Sequence, residues 1–311
     1  MTEVVDAAVA VLQRPDGQVL LAQRPVGKAW AGWWEFPGGK IEEGEPPAVA
    51  LQRELDEELG VRATDFSRWI TRVFSYPERT VKLHFFLVRA WEGEPYGREG
   101  QLVSWQSVTH PEVGPLLPAN APVLEALKLP PVYAITNLAE MGELAFFAAL
   151  ESALQQGLRL VQVREKQLDE TDLVDFTRRV IVLARPLGAK VLLNGSVALA
   201  REAGADGVHL SAVALKTLQE KPEGLLCGAS CHNTEELAKA AALNVDYCLL
   251  GPVKATRTHP GAPSLGWESF AKLIVDLPMP VYALGGMGQQ DKAAAWAAGA
   301  HGVAMMRAIY N

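Results

Sequence analysis

Hydrophobic and polar positions change their pattern along the chain near residue 129. Before that point, short apolar runs are predicted strands, and residues 47–59 have the spacing of one amphipathic helix. The predicted strands cover residues 4–12, 19–22, 81–90 and 102–105. Five closely spaced prolines at 115, 118, 122, 130 and 131 interrupt the pattern. We therefore predict a first domain of α+β type at residues 1–129 and a second domain at residues 130–311.

Residues 130–311 alternate between short apolar runs and helical stretches. The runs lie at residues 132–136, 160–164, 191–194, 207–210, 225–230, 247–251, 281–285 and 302–306. Segments such as 143–156 and 291–298 have helical patterns and would form an outer layer. Eight strands that alternate with helices predict a parallel (β/α)8 barrel of the TIM type. A doubly wound open sheet is the structural alternative.

Composition fits two folded domains. The chain has 311 residues, 49% of them hydrophobic, which is enough for two cores. It lacks the ~18–20 uninterrupted apolar residues of a membrane span, and the acidic start lacks a basic leader region, so we expect a cytoplasmic protein with no membrane partner. Its three cysteines, Cys227, Cys231 and Cys248, lack metal-ligand spacing and are expected to be reduced structural thiols.

The net charge of −7 argues against a nucleic-acid groove, which would be basic. We therefore expect no direct nucleic-acid partner. An acidic protein that handles phosphates must neutralise them with a few placed cations, so a divalent metal is expected.

The most informative segment is the predicted helix with the loop before it. Prolines 46 and 47 suit the start of the helix, and Gly60 suits its left-handed end. Inside it, Glu54, Glu57 and Glu58 have the i, i+3, i+4 spacing that puts three carboxylates on one face. Such a face is costly unless cations bind it, and hard divalent ions prefer oxygen ligands. A solvated acidic helix face is the competing interpretation.

This segment resembles the complete Nudix box. The match consists of Gly39, five residues, Glu45, seven residues, Arg53-Glu54-Leu55, one residue, Glu57-Glu58, one residue, and Gly60-Val61. The resemblance implies an α/β/α sandwich around a mixed sheet and hydrolysis of a nucleoside diphosphate linked to another moiety. It also implies Mg²⁺, or Mn²⁺ in its place, held by the three glutamates with the Gly38 carbonyl as a further ligand. Glu45 and Arg53 correspond to an internal ion pair that fixes the loop against the helix.

The rest of the first domain resembles MutT-type 8-oxo-dGTP diphosphatases. The matching segments are 34–42, 76–79, 91–101 and 118–120. By position, Asn120 would read the purine edge, Phe36 would pack near the base, Glu78 and Arg79 would flank it, and Arg24 would lie near the sugar or phosphate. The resemblance implies water attack on the β-phosphorus, which yields 8-oxo-dGMP and pyrophosphate and keeps the oxidised nucleotide out of DNA.

Each of these roles has a plainer alternative. Asn120 could be a turn or cap residue, Phe36 could be core, and Glu99 could be a surface charge. The resemblance instead makes Glu99 a metal-proximal carboxylate that orients or deprotonates the attacking water, with Glu54 as a competing base. A Nudix enzyme for another nucleotide is the rival function.

The second domain resembles the thiamin-phosphate synthase and thiazole tautomerase family. Matches include residues 133–136, 162–166, 205–210, 230–232, 283–286 and 302–304, with Gly251-Pro252, Thr256 and Thr258 between them. The resemblance places candidate site residues at Arg164, Lys166 and His232, with Gly285 and Gly286 as a phosphate-cradling loop.

The second domain also departs from the pattern of this family at several positions. The synthase holds Mg²⁺-pyrophosphate with two Asp residues, and these positions are Gly195 and Ala214 here. An expected Lys is His259, and an expected small Ser is Arg307. We therefore expect no synthase activity. Two interpretations stay open: a tautomerase with His232 as proton shuttle, unless His232 is a core histidine, or a non-catalytic module that binds a phosphorylated small molecule or a partner protein.

Overall fold

The computed structural model describes residues 4–77, 79–256 and 263–310. Within these ranges the chain forms two compact units. The first contains residues 4–129 together with 275–278, and the second contains residues 130–274 and 279–310. Predicted site residue Glu78, the family match at Thr258 and the departure at His259 lie outside the described residues.

The described residues of the first unit form seven strands in two sheets. They are β1 (Val4–Leu12), β2 (Val19–Gln23), β3 (Trp34–Glu35), β4 (Gly38–Lys40), β5 (Arg62–Ser75), β6 (Thr80–Glu92) and β7 (Val103–Gln106). The larger sheet has the order β4-β1-β6-β5, and the smaller one has the order β3-β2-β7. Because β1 is parallel to β6 but antiparallel to β4, the larger sheet is mixed, which confirms the predicted arrangement.

Two helices, α1 (Pro47–Leu59) and α2 (Ala121–Leu127), pack on opposite faces of β1. Strand residues alternate between faces, so Ala8, Ala10 and Leu12 join the cluster that contains α1. Residues Val9 and Val11 join the other cluster, which contains α2. The result is the α/β/α sandwich expected from the sequence.

Helix α1 begins and ends where its sequence indicates. Pro47 occupies the first turn, where its missing N–H costs nothing. Gly60 ends the helix in the left-handed conformation with φ 67°, and its N–H donates to the Asp56 carbonyl at 3.0 Å. These ends fix the direction of the three glutamates.

The second unit is a closed barrel of eight parallel strands. They are β8 (Val132–Ile135), β9 (Leu160–Val163), β10 (Lys190–Asn194), β11 (Gly207–Leu210), β12 (Leu226–Cys231), β13 (Tyr247–Leu250), β14 (Val281–Leu284) and β15 (Gly302–Met305). The last strand pairs with the first through Val303 and Val132, so the barrel is closed and the open-sheet alternative is wrong.

Eight α-helices are described around this barrel. They are α3 (Leu138–Met141), α4 (Glu143–Gln155), α5 (Glu170–Ala184), α6 (Val197–Ala203), α7 (Ala212–Thr217), α8 (Thr234–Ala242), α9 (Gly266–Ile274) and α10 (Lys292–Ala297). Helices α4 and α10 correspond to the two helical stretches that the sequence pattern singled out.

Polar groups in the barrel interior satisfy one another. The Tyr247 hydroxyl donates to the Tyr133 hydroxyl at 2.8 Å, and His209 Nε2 lies 2.9 Å from the Ser230 hydroxyl. His209 is fully buried, as expected for a core histidine, and burial, with a smaller contribution from the charge of Arg164, lowers its pKa to about 3.

The three cysteines are buried and form no disulfide, in agreement with the prediction of structural thiols. Among the helices that the described ranges contain, none combines the length and the apolar character that a membrane span requires.

Candidate active site

A cleft of about 660 Å³ in the first unit brings most of the predicted residues together. The predicted residues that line it are Arg24, Phe36, Gly38, Glu54, Glu58, Arg79, Glu99 and Asn120. Glu57 is not among the lining residues; its side chain is 56% exposed and lies 3.2 Å from Arg53. The cleft runs from an acidic end at α1 to an end at Asn120.

The acidic end is built by α1 and β4. The N–H of Gly38 donates to Glu58 Oε2 at 3.0 Å, which ties the strand to the helix. Glu54 approaches Gly39 so closely that a β-carbon there would lie 2.3 Å from its carboxylate. Glycine at position 39 therefore makes room for the Glu54 side chain.

Burial makes these carboxylates hard to ionise. The pKa of Glu58 is raised to about 7, mainly by burial and also by the negative charges of Glu35 and Glu54, while the Gly38 hydrogen bond and the charge of Lys28 act in the opposite direction. Burial also raises the pKa of Glu54, although its ion pair with Arg53 acts in the opposite direction. Such a crowded acidic group needs a cation or a proton nearby.

The predicted pair of Glu45 and Arg53 is present. Arg53 donates from Nε and Nη2 to the two carboxylate oxygens of Glu45, at 3.0 and 2.9 Å. It also donates to the Lys40 carbonyl at 3.0 Å and to Glu54 at 2.7 Å. The bidentate contact with Glu45 fixes the loop before α1, and the separate contact from Nη1 orients Glu54 in the cleft.

Asn120 and Phe36 define the other end. Asn120 directly precedes α2 at the N-cap position, yet its side chain does not cap the helix, and the residue is only 4% exposed. Its amide lines the cleft, which disfavours the interpretation as a simple cap. Phe36 is both core and cleft residue, because it packs edge-to-face on Phe85 with the ring centroids 6.3 Å apart.

Lys28, Glu35 and Tyr76 are among the lining residues that were not predicted to act in the site. Glu35 forms an ion pair with Arg24, and Lys28 Nζ lies 2.6 Å from Glu99 Oε2. Glu35 lies between Trp34 and Phe36 in the segment that carries the resemblance, which is the signal that could have identified it. Lys28 lies in a loop without periodicity, and its sequence carries no such signal.

The carboxylate oxygens at the acidic end are the type of ligand that a hard divalent cation prefers. Glu54 and Glu58 are partly buried carboxylates that repel each other, and a cation between them would offset this repulsion. In the described ranges, however, no three acidic, His or Cys side chains are gathered as a complete metal-binding group. Glu54 and Glu57 instead contact Arg53.

A second cleft, of about 560 Å³, lies at the carboxyl ends of the barrel strands. All five candidate residues of the barrel line it, namely Arg164, Lys166, His232, Gly285 and Gly286. Arg307, which replaces the expected Ser, lines it too, and its Nε donates to Glu140 Oε2 at 2.7 Å. Burial lowers the pKa of Arg164, and the neighbouring Glu165 charge partly offsets this effect.

His232 is not a core residue, so that alternative is wrong. Its side chain is 55% exposed, and Nδ1 lies 3.0 Å from Glu236 Oε2. The backbone N–H of His232 donates to the same oxygen at 2.8 Å. Glu236 therefore fixes the orientation of an imidazole that faces the cleft.

The positions of the two missing carboxylates do not line the barrel cleft. Gly195 directly follows β10, and Ala214 lies in α7, where its N–H is capped by Ser211. Neither residue offers an oxygen side chain. The barrel cleft thus contains cations at Arg164, Lys166 and Arg307 but lacks the metal-holding pair.

The fold and clefts define a Nudix enzyme joined to a barrel of the thiamine monophosphate synthase type. Residues 4–127 match the NUDIX domain, and residues 132–309 match the family described as thiamine monophosphate synthase. The chain therefore belongs to both families, one through each unit.

Relatives of each unit are found among known proteins. An 8-oxo-dGTP diphosphatase of Escherichia coli (strain K12) is 40% identical over 121 residues, covering 39% of this chain and 94% of that protein. A second one, from Haemophilus influenzae, is 38% identical over 125 residues, with coverage of 40% and 92%. A putative thiamine-phosphate synthase of Geobacter sulfurreducens is 38% identical over 186 residues, covering 57% of this chain and 85% of that protein.

Proposed function

We propose that the first unit hydrolyses 8-oxo-dGTP to 8-oxo-dGMP and pyrophosphate, and that this activity resides in a separate domain of residues 1–129. The unit is a nucleoside triphosphate diphosphatase of the Nudix family. One observation carries the choice of substrate: a single cleft joins the carboxylates of α1 to the buried amide of Asn120. Removal of 8-oxo-dGTP would keep an oxidised base out of newly made DNA.

Glu54, Glu57, Glu58 and Glu99, with the Gly38 carbonyl, are the groups that would hold Mg²⁺ or Mn²⁺. The ion would supply neutralisation of phosphate charge and a lower pKa of bound water. Glu57 contacts Arg53 at 3.2 Å and is 56% exposed, so it would have to leave Arg53 to join this group.

We assign the proton acceptor to Glu54. Burial raises its pKa, which makes it a stronger proton acceptor, and Arg53 fixes its orientation. Glu99 is the alternative base; its carboxylate is paired with Lys28 at 2.6 Å, as that of Glu54 is with Arg53 at 2.7 Å, but Glu99 is more exposed. The attacking water would give its proton to Glu54. Its oxygen would bond to the β-phosphorus, and the bond between this phosphorus and the oxygen of the α-phosphate would break, which separates pyrophosphate from the nucleotide.

Base selection would depend on Asn120. A side-chain amide has both a donor and an acceptor, and oxidation of guanine converts an acceptor nitrogen into a donor N–H beside a new carbonyl. Because the amide is buried, a base that leaves its groups unpaired would bind poorly. Arg24 is held by Glu35 near this cleft, and Arg79 also lines it.

The test is pyrophosphate release from a panel of oxidised and normal nucleoside triphosphates with Mg²⁺ or Mn²⁺. We expect the highest kcat/KM for 8-oxo-dGTP. Hydrolysis in ¹⁸O-labelled water should place the label in pyrophosphate if the β-phosphorus is attacked, and in the nucleotide if the α-phosphorus is attacked. A preference for another triphosphate would agree with the enzyme class but contradict 8-oxo-dGTP as the substrate.

For the barrel, residues 130–311, we propose a domain that binds a phosphorylated small molecule without synthase activity. Arg164, Lys166 and Arg307 supply positive charge to its cleft, and the backbone at Gly285 and Gly286 can donate to phosphate oxygens. Calorimetric titration of thiazole phosphate, with inorganic phosphate as reference, tests this. Binding that survives Arg164→Gln and Lys166→Gln together would contradict it.

The contact between His232 and Glu236 favours a second candidate for the barrel, a thiazole tautomerase. An imidazole that faces a cleft and is oriented by a carboxylate is suited to proton transfer. Proton exchange at the thiazole ring, followed by NMR in D₂O, distinguishes the two. Exchange that His232→Gln abolishes would establish the catalytic alternative.

A further inference from the structure

Lys28 lies in the loop between β2 and β3 and lines the acidic end of the first cleft. Its ammonium group lies 2.6 Å from Glu99 Oε2, with both side chains roughly half-exposed. The Glu99 contact raises the pKa of Lys28, and the charge of Glu58 adds to this effect. Lys28 is therefore a positive charge that contacts Glu99 and feels the charge of Glu58, two carboxylates that were predicted to lie at the metal.

Other cations lie at or near this cleft, of which Lys40 and Arg79 line it and Arg53 and Arg24 are engaged by several contacts. Arg53 contacts Glu45, Glu54 and Glu57, and Arg24 contacts Glu35 and the Ala29 carbonyl. An exposed Lys–Glu pair, in contrast, contributes little to stability, commonly about 0–1 kcal/mol, so a stronger anion can replace its carboxylate. A phosphate group with two negative charges is such an anion.

The loop that carries Glu99 is held independently of Lys28. The Glu99 backbone N–H donates to Gln101 Oε1 at 2.8 Å, and Gln101 Nε2 donates to the Glu58 carbonyl on α1 at 3.0 Å. If Lys28 leaves, only the Glu99 side chain has to move. The carboxylate is then released beside Glu58 without rearrangement of the backbone.

We propose that Lys28 exchanges Glu99 for the terminal phosphate of the bound nucleotide, and so makes the site prefer triphosphates over diphosphates. The inference rests on the proposed function, because it assumes that a nucleotide lies in this cleft with its phosphates at α1. Lys28 would thus select the length of the phosphate chain. Glu99 would be released from Lys28 only when a triphosphate is bound.

The experiment measures binding of 8-oxo-dGTP and 8-oxo-dGDP to the full chain by calorimetry, with Ca²⁺ in place of Mg²⁺ to slow turnover. We expect Lys28→Ala to raise the Kd for the triphosphate at least about 10-fold and that for the diphosphate less than about 3-fold. Lys28→Arg, which keeps the charge, should restore the preference. Lys128→Ala is the matched control, because it removes another Lys–Glu pair, with Glu125, that does not line the cleft.

Kinetics give a second readout: Lys28→Ala should raise KM for 8-oxo-dGTP while kcat stays within about 3-fold. Equal losses for both nucleotides, or none, would overturn the role of Lys28 even if the enzyme hydrolyses 8-oxo-dGTP. Selective loss of triphosphate binding without 8-oxo-dGTP turnover would support Lys28 and overturn the proposed substrate. A wild-type chain that binds neither nucleotide would overturn both.

Discussion

Glu54 and Gly39 lie in contact across the interface between α1 and β4, and a β-carbon at position 39 would lie 2.3 Å from the Glu54 carboxylate. The carboxylate is the mobile end of a side chain, so a methyl group would displace it without breaking the backbone. Gly39 thus controls where the Glu54 carboxylate lies.

We expect Gly39→Ala to reduce turnover by about 100-fold while the melting temperature changes little, since the displaced group is a catalytic carboxylate. Steady-state kinetics and thermal melting of the full chain measure both. If the effect acts through Glu54, the double variant Gly39→Ala, Glu54→Gln should be no slower than Glu54→Gln alone. Additive losses would mean that Gly39 serves another purpose.

Substitution of Glu58 by Gln should lower turnover at least about 100-fold, because it removes charge from the group that would hold the metal. Glu57→Gln should have a similar effect, and Glu54→Gln an effect at least as large. Asp56→Asn is the matched control, since Asp56 lies on the same helix but contacts Arg98 and is exposed. Near-normal turnover of Glu58→Gln at saturating Mg²⁺ would contradict the assignment.

Asn120→Ala should reduce kcat/KM more for 8-oxo-dGTP than for dGTP, because only the oxidised base uses both the donor and the acceptor of the amide. The measurement is the ratio of the two efficiencies in wild type and variant. Asn120 makes no side-chain cap to α2, so the helix should be unaffected. Equal losses on both nucleotides would show that the residue is structural.

The sequence predicts the barrel strands to within one residue at most ends, because parallel strands are buried on both faces and form continuous apolar runs. Strand β5 was missed. It carries charges at Arg62, Asp65, Arg68 and Arg72, and irregular register with β6 disturbs its alternation. The short strands β3 and β4 depend on long-range pairing that a local pattern does not reveal.

In the candidate site too, the residues set by a local pattern could be predicted, and those brought together by tertiary packing could not. Glu54 and Glu58 could be predicted because helical spacing places them on one face. Helix periodicity did not show that Glu57 lies outside the cleft, because its position depends on the contact with Arg53. Lys28 and Tyr76 come from loops, and tertiary packing alone brings them to the cleft.

Acid should destabilise the barrel through His209. Its folded pKa of about 3 lies below the unfolded value of about 6.5, so the unfolded chain binds more protons between these values and stability rises with pH there. The contribution of neutral His209 to the free energy of unfolding is fully present above pH ~6.5 and is lost as the pH falls toward about 3. Urea denaturation of wild type and His209→Gln should therefore show a flatter pH dependence in the variant. Parallel curves would contradict a neutral buried imidazole.

Finally, the full chain should not join a pyrimidine diphosphate to a thiazole phosphate. Gly195 and Ala214 provide no carboxylate for a metal, and the leaving pyrophosphate then lacks a protein-held ion that bridges its oxygens. Arg164 and Lys166 line the cleft, but a fixed cation does not reproduce the bridging geometry of a metal. The measurement is thiamin phosphate formation at high enzyme concentration with Mg²⁺ and both substrates. A double variant, Gly195→Asp with Ala214→Asp, tests the reason: gain of turnover would identify the missing carboxylates as the cause, and multiple turnovers by the wild-type chain would overturn the prediction.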